Sequence, residues 1–441
     1  MIWAWKEKLT AAVLIIFVMF PCVAGAAGYG IYEWGARGQG LGGAMVARGD
    51  DPSTVVTNPA AMTQLPGTSL TAGLTIIRPS GTVHPHDASL EGGKGEDNTW
   101  VIPNTSITTQ LSETYWLGVG LYSRAGLGTE YRGDEHWFGR YNGMYAGIRQ
   151  VSLNPNVAFK MTDTLSLGAG LEVAYIDADL RNMIDAGNPR NPGAGTRGIF
   201  DVKQKLAGRD PGYGFNLAVH YKPLDWLSLG ISYRSKITIH MKGHADFDAV
   251  GPRAEAALAG IRASSPALAK TLKNTTFSTT EPLPAMLSLG AMIKPTDTLS
   301  LSLDLLRTYW HAYSDLTIDY DEPVLFGKDK AVIAKNWNDV NRYQLGVEYA
   351  LSDWLDLRLG YVYDESPVDP KHADYQIPSS DRQIYSLGSG FHWDAWTIDC
   401  AYSYLVVATR NFGHSMALGV KDSAFKHGDS HLIALNVGYR F

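Results

Sequence analysis

Cysteine is nearly absent from this chain. Only Cys22 and Cys400 occur in 441 residues. Cys22 falls in a leader described below, so the mature chain keeps one thiol and no internal disulfide can staple the fold. Long apolar runs are absent too. No uninterrupted stretch reaches the roughly 20 residues that a transmembrane helix needs, and mean hydropathy is -0.12. Positive charge is not in excess. A net charge of -6 leaves no basic field for nucleic acid. Metal-ligand clusters are missing as well: His84-Pro85-His86 has no third ligand nearby and reads as a solvated loop. The glycine run Gly38 to Gly43 mimics a dinucleotide loop, but no strand precedes it. Serines are many and His392 faces inward by parity, yet no spacing singles out a nucleophile–base pair. No enzyme, no cofactor and no metal are expected.

What is present is alternation behind a secretory leader. Lys6 and Lys8 precede the apolar run Ala11 to Phe20, and Ala24-Gly25-Ala26 follows. That is a signal peptide with cleavage after Ala26. At the other end, Ile433, Leu435, Val437, Tyr439 and Phe441 share one parity, with Ala434, Asn436, Gly438 and Arg440 on the other. Successive strand residues point to opposite faces, so one face is apolar and the other polar or small. The same rhythm runs through 165–175, 227–234, 299–305 and 355–363. Charged residues on the second parity would be costly against lipid, so that parity faces a lumen. The 46 glycines and 23 tyrosines suit a crowded inner wall and a membrane–water boundary.

Six short polar junctions separate the runs: Ser112-Glu113, Thr162-Asp163, Leu224-Asp225, Thr296-Asp297, Ser352-Asp353 and Asp394-Ala395. Asp at such a place can bond local backbone N–H groups. Between the hairpins lie seven long polar stretches, near 79–103, 124–144, 182–211, 248–278, 321–337, 366–380 and 408–429. Short turns on one side and long loops on the other give an all-β, 14-stranded antiparallel transmembrane β-barrel, with both ends periplasmic. Trp226, Trp354, Trp393 and Trp396 flank the turns as a periplasmic aromatic girdle. Residues 27–66 carry no convincing strand, and their economical place is inside the barrel as a plug. The domain reading is a signal peptide over 1–26, an N-terminal hatch over 27–66 and the barrel over 67–441. Within the loop Arg253 to Lys273, Leu258, Ile261, Leu268 and Leu272 give a helix-prone segment an apolar aspect; ligand capture and packing onto a neighbouring loop both account for it. The outer membrane of a Gram-negative bacterium follows, with membrane lipid and lipopolysaccharide as surroundings and a monomer as the expected state.

The plug segment resembles the start of the FadL/TodX family, outer-membrane transporters of long-chain fatty acids and aromatic hydrocarbons. The matching words are Gly28-Tyr29, Tyr32-Glu33, Gly40-Leu41-Gly42-Gly43-Ala44, Asp50-Asp51-Pro52-Ser53 and Asn58-Pro59-Ala60-Ala61-Met62. Later ones include Asp210 to Asn216, Ser232 to Lys236, Trp337-Asn338-Asp339, Gly360 to Val368 and Ile377 to Arg382. The resemblance implies a barrel with a hatch whose signature is Asn58, Pro59 and Ala60, with Asp339 and Arg382 as its wall contacts. Parity supports Arg382 as inward and sets Asp339 outward unless a bulge intervenes. It further implies a ligand pocket near Gly28 and Tyr29, for which Arg234 and Lys236 can supply charge. It implies a side opening in the third strand, which carries Gly118 and Gly120. The function expected is passive uptake of a hydrophobic molecule: capture outside, a lumen pocket, hatch movement and lateral exit through the wall. Long-chain fatty acids come first. The acidic Asp177-Ala178-Asp179 and Thr317, where relatives carry basic groups, keep neutral aromatic hydrocarbons open. A general diffusion porin is the rival, and it needs an open lumen.

Overall fold

The computed structural model describes residues 28–441 apart from Glu33, Asp134 and Arg197, and all but the side chain of Leu127 in that range. The expected signal peptide, with Cys22, lies outside the described residues. Fourteen antiparallel strands close into a barrel. They are β1 (Thr68–Pro85), β2 (Trp100–Gln110), β3 (Tyr115–Tyr122), β4 (Tyr145–Lys160), β5 (Leu165–Asp185), β6 (Asp201–Leu224) and β7 (Leu227–Arg234). Then come β8 (Met286–Ile293), β9 (Leu299–Thr308), β10 (Val340–Ser352), β11 (Leu355–Asp364), β12 (Arg382–Trp393), β13 (Trp396–Val407) and β14 (Ser423–Arg440). Each pairs with its sequence neighbour in this order, and β14 returns to β1 from Ser69↔Arg440 to Pro85↔Ser423. The ladder thus closes on itself, as hydrocarbon demands.

All six short junctions fall at the ends of these hairpins. Their chemistry differs from the expected Asp cap. In three of them a hydroxyl does the work: Ser112 Oγ accepts from the N–H of Thr114 and Tyr115, Thr162 Oγ1 from Thr164 and Leu165, and Thr296 Oγ1 from Leu299. Asp163 instead meets Lys160 at 3.1 Å in solvent. The strands also overshoot the expected loops at the far end. Asp210 to Asn216, read partly as loop, lies wholly within β6. Above β7 and β8 the wall continues as a separate hairpin, Ile237–Ala249 with Thr275–Leu283.

Parity sorts the side chains as the sequence implied. Leu171, Leu217, Leu359, Leu387 and Ile433 stand exposed on the outer face, while Ser152, Asn154, Asn216, Asp304 and Arg358 are buried inside. The described residues ahead of β1 fill the lumen. A short helix, α1 (Ala36–Gly40), a helical turn at Thr54–Thr57 and a 3-10 turn at Pro59–Gln64 are buried there. Contacts run round the wall: Ala36 N–H to Asn436 on β14 (2.9 Å), Val46 N–H to Asp304 on β9 (2.8 Å), Thr63 to Ser166 on β5 (2.7 Å), and Trp116 on β3 to the Leu65 carbonyl (2.8 Å). The fit is tight: a Cβ on Gly40 would lie 3.1 Å from the Gly388 Cα.

Leu171→Arg, on the lipid face near mid-wall, should destabilise insertion by about 2–4 kcal/mol. Equilibrium folding into bilayers measures it, and a variant as stable as the parent would show that this parity does not face lipid.

Candidate functional site

Inside the barrel, buried charges come in compensated groups. At the periplasmic end Glu348 on β10 faces three guanidiniums. Arg37 of α1 meets it at 2.8 Å, Arg358 on β11 at 2.6 Å, and Arg48 of the plug makes the third ion pair. Asp50 bridges Arg37 and Arg48 at 2.9 and 3.1 Å, and Asp399 on β13 holds Arg358 at 2.5 Å. Buried ions in low dielectric need such partners. Higher up, Glu172 takes both Arg124 (3.1 Å) and Arg234 (3.2 Å). Asp364 takes both Arg342 (2.9 Å) and Arg382 (3.0 Å), and Arg382 also reaches the Gly30 carbonyl at 3.4 Å.

The chain's first described residues meet a fault in the wall. β3 pairs with β2 only between Thr105↔Leu121 and Gln110↔Trp116. Past Tyr122 the chain bends, and Gly126–Glu130 resumes pairing with β4, while the Glu130 carbonyl at its tip accepts from the Glu96 N–H at 2.8 Å. Trp100 to Asn104 of β2 are therefore paired on the β1 side only. Two devices satisfy the bent backbone. Gln150 Oε1 accepts from the Arg124 and Ala125 N–H groups at 2.6 and 3.3 Å. Residues 29–31 pair with the bend, Gly126 N–H to the Tyr29 carbonyl and Ile31 N–H to the Arg124 carbonyl, both 2.9 Å.

Beside this bend is a cavity of about 410 Å³, which reaches from lumen groups (Gly28, Gly30, Arg382, Leu432) to outer-face groups (Val101, Pro103, Val151). Val101 is 58% exposed. Trp100 lies against Gly128 so closely that no Cβ fits there. Under the outer loops, a smaller apolar cavity of about 40 Å³ is lined by Leu206, Met241, Tyr313 and Glu281, and Ile148 borders both spaces. Tyr29 stands between them. Its hydroxyl donates to Glu281 Oε1 (2.6 Å) and the Pro282 carbonyl (3.1 Å), within a ring of Trp310, Tyr313 and Trp337. Burial, and next the Glu281 carboxylate, push the Tyr29 phenol well above its ordinary pKa, so it stays a neutral donor.

The expected site residues divide accordingly. Asn58, Pro59 and Ala60 form a buried turn, with Asn58 Nδ2 donating to the Val46 carbonyl (2.7 Å) and the Val219 carbonyl (3.0 Å) and its Oδ1 accepting from Ala60. The expected network with Asp339 and Arg382 is not assembled. Asp339 lies where parity put it, outside, against His311 (2.7 Å) and Arg307 (3.8 Å). Arg382 serves Asp364 instead. Gly28 and Tyr29 do border a lumen pocket. Arg234 is buried, paired to Glu172, the Tyr122 hydroxyl and the Val56 carbonyl. Lys236 is not with it: the strand changes parity after Ser235, burying Ile237 and Ile239 and leaving Lys236 exposed. Gly118 and Gly120 lie below the bend in fully paired wall, where any Cβ would strike Val55, Val56 or Met62 of the plug. They make room for the plug. The loop helix Pro252–Ser264 offers no open groove: Leu258 and Leu272 are buried, Ile261 packs on the same cluster, and Leu268 is half-buried. Packing, not exposure, absorbs those residues. Sequence reasoning assigns no site role to Glu281, Trp310 or Glu348, and it places Arg124 to Gly126 in a loop.

Comparison with known proteins follows the same lines. Residues 18–441 match the family described as outer membrane protein transport protein (OMPP1/FadL/TodX). The chain is 25% identical to the long-chain fatty acid transport protein of Salmonella typhi, covering 99% of this chain and 98% of that one. It is 25% identical to outer membrane protein P1 of Haemophilus influenzae, covering 95% and 96%. Among solved structures, a Pseudomonas aeruginosa FadL homologue superposes with a TM-score of 0.81 at 22% identity, over 94% of this chain and all of that chain. The Pseudomonas putida toluene transporter TodX superposes at 0.70 and 18% identity, over 92% and 98%. These two share the fold.

Glu348→Gln strips the common anion from three buried guanidiniums. Trypsin should then cleave the plug faster, and steady conductance in planar bilayers should rise, while the folded barrel still migrates as a heat-modifiable band. Unchanged cleavage and conductance would show that this ion cluster does not hold the plug.

Proposed function

The chain belongs to the OMPP1/FadL/TodX family of outer membrane transport proteins, and from that premise we propose that it moves hydrophobic molecules passively from outside the cell into the plane of the outer membrane. It is a transport channel and not an enzyme. Residues 27–66 act as its hatch. Cargo collects in the apolar cavity under the loops, passes Tyr29, rests beside Arg382 and leaves sideways between β2 and the bent end of β3. The observation that carries this reading is the cavity that joins Gly30 and Arg382 in the lumen to Val101, Pro103 and Val151 on the lipid face.

The energetics favour a side exit. A chain of about sixteen carbons gains on the order of 12 kcal/mol on leaving water, so release into the aqueous periplasm forfeits that gain and release into lipid keeps it. Long-chain fatty acids fit first. Arg382 lines the cavity, where its guanidinium, held by Asp364 at 3.0 Å, is a donor group that a carboxylate can approach. Neutral aromatic hydrocarbons are the second reading, favoured by the rings around Tyr29. A diffusion porin is disfavoured because the buried N-terminal segment bonds to strands around the lumen.

Ser123→Trp and Ala125→Trp, which fill the side cavity, should lower uptake of a radiolabelled long-chain fatty acid several-fold with the barrel intact and conductance unchanged. Gly118→Arg and Gly120→Arg should also lower uptake, but by displacing the hatch, and so with raised conductance. Full uptake in both tryptophan variants would reject the side exit.

A further inference from the structure

The outer face of the wall changes character at one height. On β5 and β6 it is apolar as far as Tyr175 and Tyr213, both exposed. Immediately above them the face turns ionic: Arg209 lies opposite Asp177, and Asp177 opposite Arg149 of β4. Arg209 stands about 30 Å above Tyr221, an aromatic near the periplasmic turn, at a strand rise of about 3.3 Å and a tilt near 40°. An outward apolar band is about 25 Å tall. The ionic row therefore lies at the level of the outer-leaflet headgroups.

The same row crosses a joint in the ladder. β6 pairs with β7 up to Asn216↔Arg234, and with the hairpin above it from Gly208↔Gly243. Between those points side chains complete the joint. Ser235 Oγ accepts from the Phe215 N–H and the Ser235 N–H donates to the Phe215 carbonyl, both at 2.9 Å. Asp210 Oδ2 accepts from the Lys242 N–H at 2.8 Å. Buried Ile237 and Ile239 cover Gly212 and Gly214 so closely that no Cβ fits on either glycine.

Outside, the joint carries an open hollow of about 870 Å³ bordered by Arg149, Arg209, Lys242 and Ser278. Its acids are already engaged. Asp177 meets Arg149 at 3.2 Å, Asp179 meets Arg181 at 2.7 Å, Asp210 holds the Lys242 backbone, and Asp321 takes the Thr276 hydroxyl. Arg209 and the Lys242 ammonium are exposed, and neither has an anionic partner among the described residues.

We propose that this hollow seats a phosphate group of an outer-leaflet lipid, held between Arg209 on β6 and Lys242 on the hairpin. Three features choose the occupant. Neighbouring cations that lack acids of their own repel one another, and a phosphate between them replaces that repulsion with two attractions. Phosphate oxygens also match the fork of a guanidinium. The exposed rings of Tyr175, Tyr213 and Phe215 directly below offer acyl chains a surface that a free ion has no use for. Basic side chains beside an apolar face are the ordinary means of recognising an anionic lipid. The bound phosphate also ties β6 to the hairpin where no ladder bond does so among the described residues. Lipid then braces the joint from outside, as Ile237 and Ile239 do from within.

The test is native mass spectrometry and thermal unfolding of the delipidated full chain in detergent. Three probes are used: diphosphoryl lipid A, the same lipid stripped of its phosphates, and inorganic phosphate. The parent should retain diphosphoryl lipid A and melt several degrees higher with it. Arg209→Gln combined with Lys242→Gln should weaken that binding about tenfold or more and abolish the rise in melting temperature. Arg78→Gln combined with Lys426→Gln, which removes the same charge from exposed positions on β1 and β14, should change neither. Lys242→Ala alone, with a loss of several-fold, carries the test if the first double variant does not fold. Equal binding of the stripped lipid, undiminished binding by the Arg209 and Lys242 variants, an equal loss in the Arg78 and Lys426 variant, or inorganic phosphate held as tightly as the lipid would overturn the inference.

Discussion

Every backbone N–H and C=O that enters hydrocarbon must find its partner within the protein. That demand closes β14 onto β1 and fixes which side of each strand meets lipid. It also makes the interior polar, because the alternate residue has to go somewhere. Glu348, Arg358, Asp399 and Asp304 are all wall residues buried inside. Such charges cannot stand alone in a narrow space. The N-terminal segment answers them with Arg37, Arg48 and backbone N–H groups, so the stopper and the wall neutralise one another. Filling the lumen and balancing its charge are one solution.

The same demand explains why the wall fails only where it does. Where β2 and β3 part, the freed groups need replacements, and these are a side-chain amide, Gln150, and a borrowed strand, residues 29–31. A backbone hydrogen bond contributes about 0.5–1.5 kcal/mol net. Two such bonds hold the borrowed strand to the bend, a small sum that a bound molecule of modest affinity can offset. The lower wall has no such seam: at Gly118 and Gly120 the ladder is continuous on both sides and the plug presses against it. A weak place just above a rigid one localises any opening.

Much of this was legible in the residues. The turn words at 112, 162, 224, 296, 352 and 394 mark hairpins because each interrupts a period-2 run with residues suited to tight turns. Parity told Arg382 from Asp339 correctly, against the pairing that resemblance implied, because a side chain's face is set locally. Parity failed at Lys236, since the irregularity after Ser235 shifts the register and nothing in Arg-Ser-Lys-Ile announces it. The aromatic ring around Tyr29 was hidden for another reason. Tyr29, Glu281, Trp310 and Trp337 meet only through closure of the barrel, and no local pattern carries a contact of that span. The bend past Tyr122 resembles the start of the loop expected near 124–144, because a strand that loses one partner looks, in one dimension, like a strand that has ended. The apolar loop segment had two readings, and burial of Leu258 and Leu272 decides for packing.

The lengths of β5 and β6 have a bearing on what the protein does before any cargo meets the lumen. They run to 21 and 24 residues, whereas about 9–11 suffice to cross hydrocarbon. Roughly half of each therefore rises beyond the acyl chains as a free-standing chimney. A rim lifted that far holds the apolar space under the outer loops clear of the acyl chains, so the height of the wall sets how far above the membrane the interior begins.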